Sequence, residues 1–184
     1  MKLEGIAFYG GSFNPPTQAH RAILEDLLNQ GFSKIILKPC GLRKDKETLS
    51  SHQEERADRI KSELSIEHPI YSLDLTGLDE PMKPTIIEWE SLKSSYPQER
   101  IWLVTGTDLF EDEGSGKCQI QRWYEGKSLF EKAWFLIYPR PTQRPILYPP
   151  LMHFVDDFEP MDISSTQLRS LEKSFSDSSS TGHR

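Results

Sequence analysis

Positive charge is in deficit in this sequence: 22 lysines and arginines stand against 28 aspartates and glutamates, a net charge of -6 over 184 residues. A protein that holds duplex nucleic acid needs a positive field, so nucleic acid is not among the expected partners. A small phosphorylated ligand is not excluded, because a few positioned cations act over the short range that salt leaves unscreened. Cysteine is scarce too. Cys40 and Cys118 are isolated and far apart, which suits neither a disulfide framework nor a zinc site and points to a reducing, cytoplasmic setting. Long apolar runs are missing: none approaches the ~20 residues of a membrane helix. The opening stretch from Met1 to Tyr9 is broken by Lys2 and Glu4 and reaches glycine at once, so it reads as neither signal peptide nor span. Ser174 to Arg184 has almost no apolar content and cannot offset its own ordering entropy, so a disordered tail is expected there. With 36% hydrophobic residues, no internal repeat and no shift in composition, residues 1–173 are expected to form one domain.

What is present is a rhythm. Ile6-Ala7-Phe8-Tyr9 is a short apolar run ending in Gly10-Gly11, and Ile23, Leu24, Leu27 and Leu28 then recur at helical spacing before Gly31. Lys34 to Lys38 carries a second strand, ended by Pro39, and Ser51 with Glu54 forms a capping-box pattern ahead of Ala57, Ile60 and Leu64. Ile70 to Leu75 reads as a third strand, and Thr85 with Glu88 as another capping box. Further strands are expected at Ile101 to Val104, Trp134 to Tyr138 and Met152 to Val155. Strands apolar throughout, alternating with helices, predict an α/β protein with a parallel sheet covered by helices on both faces, its ligands at the carboxyl ends of the strands. Glu111 to Gly116 and the five-proline stretch Pro139 to Pro150 read as surface loops.

Two segments carry candidate chemistry. Gly10-Gly11-Ser12-Phe13-Asn14-Pro15-Pro16-Thr17-Gln18-Ala19-His20 joins the first strand to the first helix, where backbone amides can face an anion and two glycines keep side chains out of its way. Thr17 and His20, three apart, can turn a hydroxyl and an imidazole toward one site. The spacing alone is met equally well by a glycine turn and a capped helix, and it matches neither the Walker A nor the dinucleotide fingerprint. Late in the chain, Ile163-Ser164-Ser165-Thr166 opens a second helical pattern, and Arg169 lies about one turn beyond, within reach of a phosphate held by those residues. Alone, this pattern is also that of a serine-capped helix with a solvated arginine.

Taken together, Gly-Gly-Ser-Phe-Asn-Pro-Pro-Thr-x-x-His early and Ile-Ser-Ser-Thr-x-x-Arg late resemble the two signatures of the nucleotidyltransferase superfamily, and in particular the nicotinate/nicotinamide mononucleotide adenylyltransferases. Pro84-Thr85, Trp102 to Asp108, Trp123 and Ala133 to Pro141 resemble that family's blocks in the same order, so the likeness spans about Ile6 to Leu171. It implies a Rossmann-like doubly wound sheet and transfer of the adenylyl group of ATP to a pyridine mononucleotide in NAD biosynthesis, with Mg2+ held mainly by the ATP phosphates and no protein metal site. Residue by residue, it implies catalytic roles for His20, Thr17 and Arg169 and nucleotide contacts from Gly10, Gly11, Ser12, Phe13, Gly106, Asp108, Ile163, Ser164, Ser165 and Thr166. Lys44, Thr85 and Trp123 would serve the acceptor. Core or interface packing for Trp123, helix capping for Asp108 and a solvated charge run at Lys44 are the competing assignments.

Thr17 stands where many bacterial relatives have histidine, Ala19 replaces a frequent glycine, and the loop from Glu111 to Gln121 is longer than expected before the family tryptophan. Related transfer to phosphopantetheine or an alcohol phosphate, and a nucleotide-binding regulator of the same fold without turnover, are the alternatives. The expected partners are small molecules, with no membrane. The choice of nicotinate or nicotinamide mononucleotide, and whether the chain forms a homo-oligomer, are left open.

Overall fold

A computed structural model describes residues 3–43, 53–141 and 144–159. Six strands, β1 (Ile6–Gly11), β2 (Lys34–Pro39), β3 (Tyr71–Leu73), β4 (Ile101–Gly106), β5 (Trp134–Tyr138) and β6 (Met152–Phe154), form one sheet. The spatial order is β3-β2-β1-β4-β5-β6, and every pairing is parallel. Among the described residues four helices pack on it: α1 (Gln18–Asn29), α2 (Gln53–Leu64), α3 (Thr85–Ser95) and α4 (Gly126–Lys132). This is the expected doubly wound α/β architecture.

The apolar strand sequences follow from burial on two sides. Successive residues alternate between faces, so Ala7, Tyr9, Ile35, Leu37, Trp102, Val104, Leu136 and Tyr138 enter one core. There they meet Ile23, Leu24 and Leu27 of α1 and Ile60 and Leu64 of α2. Ile6, Phe8, Ile36, Ile101, Leu103, Phe135 and Ile137 enter the other, against Ile86 and Trp89 of α3 and Leu129 of α4. Each of the completely buried leucines contributes about 1.5–3 kcal/mol through removal from water. The two cores cover both faces of the central strands β2, β1, β4 and β5, while β3 and β6 at the edges are half-buried.

Several boundaries differ from the sequence expectation. The first strand continues through both glycines, pairing Gly10 with Lys38 and Gly11 with Pro39. The third strand is three residues long, not six. The Thr85–Glu88 capping box does not form: Pro84 is the N-cap, with no side-chain capping bond, and its carbonyl accepts from the N–H groups of Ile87 and Glu88. Thr85 is therefore already inside the helix, where its hydroxyl cannot reach back to the N3 amide. The Ser51 capping box, Lys44 and the motif from Ile163 to Arg169 lie outside the described residues, as does the stretch from Ser174.

The two stretches read as separate loops are joined. Glu111 and Ile146 form an antiparallel bridge, with Asp112 N–H donating to the Pro145 carbonyl at 2.9 Å and Leu147 N–H to the Phe110 carbonyl at 2.9 Å. Within the first of them, one Asp112 carboxylate oxygen accepts from the amides of Gly114, Ser115 and Gly116, so this side chain turns the glycine-rich segment. The chain thus supplies an ordered edge beyond β4 where unpaired loops were expected.

Candidate active site

From β1 the chain crosses outward to β2, and from β3 it returns to the other side of β1 as β4. Connections leave these two central strands in opposite directions, so a crevice opens at their carboxyl ends. Gly10 and Gly11 end β1, and Gly106 ends β4. At Gly106 a Cβ would collide with Asp108 Oδ1 and come within 2.7 Å of Arg140 Nε, so glycine is what lets those two side chains converge there. A cavity of about 290 Å3, lined in part by Glu4, Arg100, Trp134 and His153, lies instead at the amino ends of the strands.

Beyond Gly11 the chain makes a tight turn. Phe13 adopts φ 44°, a left-handed conformation that costs a bulky residue on the order of 1–3 kcal/mol, and its ring is almost fully buried. That ring meets Tyr9 edge-on at 5.3 Å and His20 edge-on at 5.0 Å. Phe13 accordingly offers the site its backbone, while its side chain orients the imidazole. Behind the turn, the buried Arg56 of α2 donates through Nε and Nη2 to the Ser12 carbonyl.

Thr17 and His20 are brought together by a reciprocal cap. Thr17 is the N-cap of α1; its Oγ1 accepts from His20 N–H at 3.3 Å, and its own N–H donates to His20 Nδ1 at 3.0 Å. The Thr17 hydroxyl also lies 2.9 Å from Nδ1. With Nδ1 serving as acceptor, the hydrogen-bond network assigns the ring proton to Nε2, leaving Nε2–H as a neutral donor with no hydrogen bond among the described residues. Thr17 is buried, so its hydroxyl is engaged in holding the histidine and not in facing a ligand.

Burial, with Arg140 as a second cause, lowers the His20 pKa from 6.5 to about 4. Unfolded, the ring titrates near its ordinary value. As pH falls from about 6.5 toward 4, the unfolded chain takes up this proton and the folded chain does not, so stability is lost over that window, by at most about 1.4 kcal/mol per pH unit. Above pH 6.5 the imidazole is neutral in both states and adds no pH dependence. Urea midpoints measured between pH 8 and pH 4.5 should therefore fall more steeply for the wild type than for His20→Asn. Parallel pH profiles would show that His20 is not held neutral.

Across the crevice, Asp108 sits in a single 3-10 turn, Thr107–Phe110, directly after β4. Its carboxylate lies 3.6 Å from Arg140 Nε. Buried Thr107 fixes this arginine: its Oγ1 accepts from Arg140 N–H at 2.8 Å and donates to the Arg140 carbonyl at 3.1 Å. The buried Tyr9 hydroxyl makes no hydrogen bond of normal geometry among the described residues but lies in the field of both charges, and its pKa is pushed well above the usual range chiefly by burial. The arrangement provides a neutral donor at one wall, a carboxylate–guanidinium pair at the other and a glycine turn between them. It suits a ligand carrying both phosphate and hydroxyl groups.

Thr85 begins α3, half-buried, and Trp123 follows the 3-10 turn Ile120–Arg122, half-buried against the second core. Neither makes a hydrogen bond or ring contact with His20, Asp108 or Arg140 among the described residues. Arg56 was passed over in the sequence, and Arg140 was placed in the block from Ala133 to Pro141 without a role at the site. For Arg56 a signal existed, since it stands four and eight residues before Ile60 and Leu64 on the buried stripe of α2, where Ala57 was expected. Among the described residues no group of three or more His, Cys, Asp or Glu side chains could hold a metal ion.

A family model described as cytidylyltransferase-like matches residues 8–171. The chain belongs to this cytidylyltransferase-like family. Family membership thus spans both the turn at Gly10–His20 and the late serine–arginine segment. The chain is 30% identical over 170 residues to a probable nicotinate-nucleotide adenylyltransferase of Sulfurimonas denitrificans, covering 91% of this chain and 85% of that protein. It is 28% identical over 182 residues to the nicotinate-nucleotide adenylyltransferase of Bacillus subtilis, covering 94% and 87%. Among solved structures, the Plasmodium falciparum nicotinic acid mononucleotide adenylyltransferase complexed with NaAD superposes with a TM-score of 0.73 at 25% identity, covering 91% of this chain and 83% of that one. The Plasmodium falciparum enzyme thus shares the fold on which the present site is built.

Proposed function

We propose that this chain transfers the adenylyl group of ATP to nicotinate mononucleotide, releasing pyrophosphate and forming a dinucleotide, a reaction of NAD biosynthesis. The observation that carries this reading is the His20 imidazole, fixed by Thr17 as a neutral Nε2–H donor beside the Gly10–Phe13 turn at the topological switch point. The names of the relatives supply the acceptor.

In this reaction a phosphate oxygen of the mononucleotide attacks the α-phosphorus of ATP in line; the new P–O bond forms as the bond to the bridging oxygen of pyrophosphate breaks. The nucleophile is already an anion, so no general base is required, and the protein's task is to orient two phosphorylated molecules and stabilise charge on the departing oxygens. His20 would donate Nε2–H to those oxygens, and a neutral imidazole does so without a protonation step anywhere near pH 7. Thr17 would act by holding that donor. Gly10, Gly11, Ser12 and Phe13 would offer backbone to the triphosphate, and Gly106 with Asp108 would receive ribose hydroxyls. Ile163, Ser164, Ser165, Thr166 and Arg169 would complete the nucleotide site, while Lys44, Thr85 and Trp123 would serve the mononucleotide. Magnesium would enter as part of the ATP substrate: the described donor set, one carboxylate paired with an arginine, fits a cation carried by phosphates better than one caged by protein.

The test is pyrophosphate release by the full chain with ATP and magnesium, offered nicotinate mononucleotide, nicotinamide mononucleotide or phosphopantetheine. Fastest release with nicotinate mononucleotide is expected. Release with phosphopantetheine only, or with none of the three despite ATP binding, would overturn the assignment.

A further inference from the structure

A reaction that orients a triphosphate needs backbone donors turned toward it, and on the reading proposed above one buried cation decides where those donors point. Arg56 is 4% exposed. Its Nε and Nη2 donate to the Ser12 carbonyl at 3.0 and 2.7 Å, Nη2 also to the Cys40 carbonyl at 2.8 Å, and Nη1 to Gln53 Oε1 at 3.1 Å. It therefore ties the turn after β1 to the turn after β2. A further bond, from Cys40 N–H to the Gly11 carbonyl at 2.8 Å, joins the same two turns.

Peptide planarity turns this clamp into a statement about the crevice. In a trans peptide the carbonyl of one residue and the N–H of the next point in opposite directions. The Gly11 carbonyl faces Cys40 beyond β2, so the Ser12 N–H points the other way; the Ser12 carbonyl faces Arg56 on the same side, so the Phe13 N–H also points away from it. Both amides are thus turned away from the side that holds Cys40 and Arg56. Neither forms a hydrogen bond among the described residues.

Charge gives a second argument. Hydrogen-bond partners of the guanidinium among the described residues are two carbonyls, a side-chain amide and, more distantly, the Cys40 sulfur at 3.9 Å; no described carboxylate pairs with it. Burial holds its pKa below the ordinary arginine value. Isolated buried cations are costly, and the inward positions that follow it on α2, Ile60 and Leu64, are aliphatic and completely buried. Packing alone would be met at lower cost by a third aliphatic residue. An anion bound to the Ser12 and Phe13 amides would sit one peptide away from this charge and compensate it.

We infer that Arg56 is a positioning residue for the nucleotide triphosphate: its fork aims the Ser12 and Phe13 amides into the crevice, and its charge is matched there by phosphate. Lysine cannot replace it, because one ammonium does not span both carbonyls in a fixed fork. The test uses binding, not turnover, so a chain that binds ATP without releasing pyrophosphate would sink the proposed reaction and leave this inference standing. In the full chain, Arg56→Lys and Arg56→Met should each weaken a non-hydrolysable ATP analogue by about ten- to hundredfold in calorimetry and leave nicotinate mononucleotide within about twofold. A folded variant that binds the analogue as the wild type does, or loses both ligands equally, overturns the inference. If neither variant folds, the wild type decides: its Arg56 Nε–H resonance in 15N-labelled protein should shift with the ATP analogue and not with the mononucleotide. An unmoved resonance, or an equal response to both, overturns it.

Discussion

Replacing His20 with alanine should lower kcat by about two to three orders of magnitude, the scale of losing one donor to developing negative charge in a water-poor site. Steady-state kinetics with ATP and nicotinate mononucleotide would measure it, and near-normal turnover would remove His20 from the mechanism. The structure adds a stability cost that the motif alone does not reveal. His20 Nδ1 is the acceptor for the Thr17 amide, so the substitution leaves that amide unpaired at the start of α1. Loss of such a cap costs about 1 kcal/mol, or roughly 2–4 °C in Tm for a chain of this size. A kinetic loss of several hundredfold with so small a thermal shift would separate chemistry from unfolding.

Gly5→Ala should produce the converse result, a large loss of stability with kcat per folded molecule unchanged. Gly5 has φ 110°, outside the regions open to alanine, and an added Cβ would collide with the Arg100 carbonyl oxygen. That oxygen is not free to move, because it accepts the Ile6 amide at 2.8 Å where β1 enters the sheet beside β4. The Gly5 carbonyl in turn accepts the Ser33 amide and hydroxyl, each at 2.9 Å, so a shift of Gly5 also disturbs the entry of β2. Backbone strain and overpacking together should cost about 3–5 kcal/mol. Urea denaturation would report it as a lower midpoint at unchanged slope. The site lies at the other end of β1, roughly 20 Å away for a six-residue strand, so a fall in kcat without a change in midpoint would contradict this account.

These two residues mark different kinds of legibility. The His20 site could be read locally, since the glycines, the N-cap and the imidazole fall within eleven consecutive positions and the cap closes over three residues. What the histidine does there could not be read. Its neutral state depends on burial against Tyr9 and Phe13 and on the charge of Arg140, 120 positions away. Asp108 was visible as a polar residue after a buried strand, yet its partner Arg140 lies just past the end of β5 and meets it only because β4 and β5 pair in register, Gly106 opposite Tyr138. Thr85 shows the reverse failure: its spacing to Glu88 fits a capping box, but Pro84 takes the cap position and the helix begins one residue earlier than the pattern requires.

By itself the sequence determined the class of fold and gathered the glycines, threonine and histidine into one turn. A strand buried on both faces must be apolar at every position, a helix covering it must be apolar on one stripe, and a tight approach to phosphate needs glycine, and each of these demands is met by near neighbours in the chain. Only the tertiary structure decided which distant groups act together. The Arg56 clamp on Ser12, the Asp108–Arg140 pair and the joining of the segments at Glu111 and Ile146 span gaps of 44, 32 and 35 residues. No local pattern encodes those gaps, because they are closed by strand order: the parallel sheet gathers the carboxyl ends of β1, β2, β4 and β5 at one edge and leaves their side chains to find one another there.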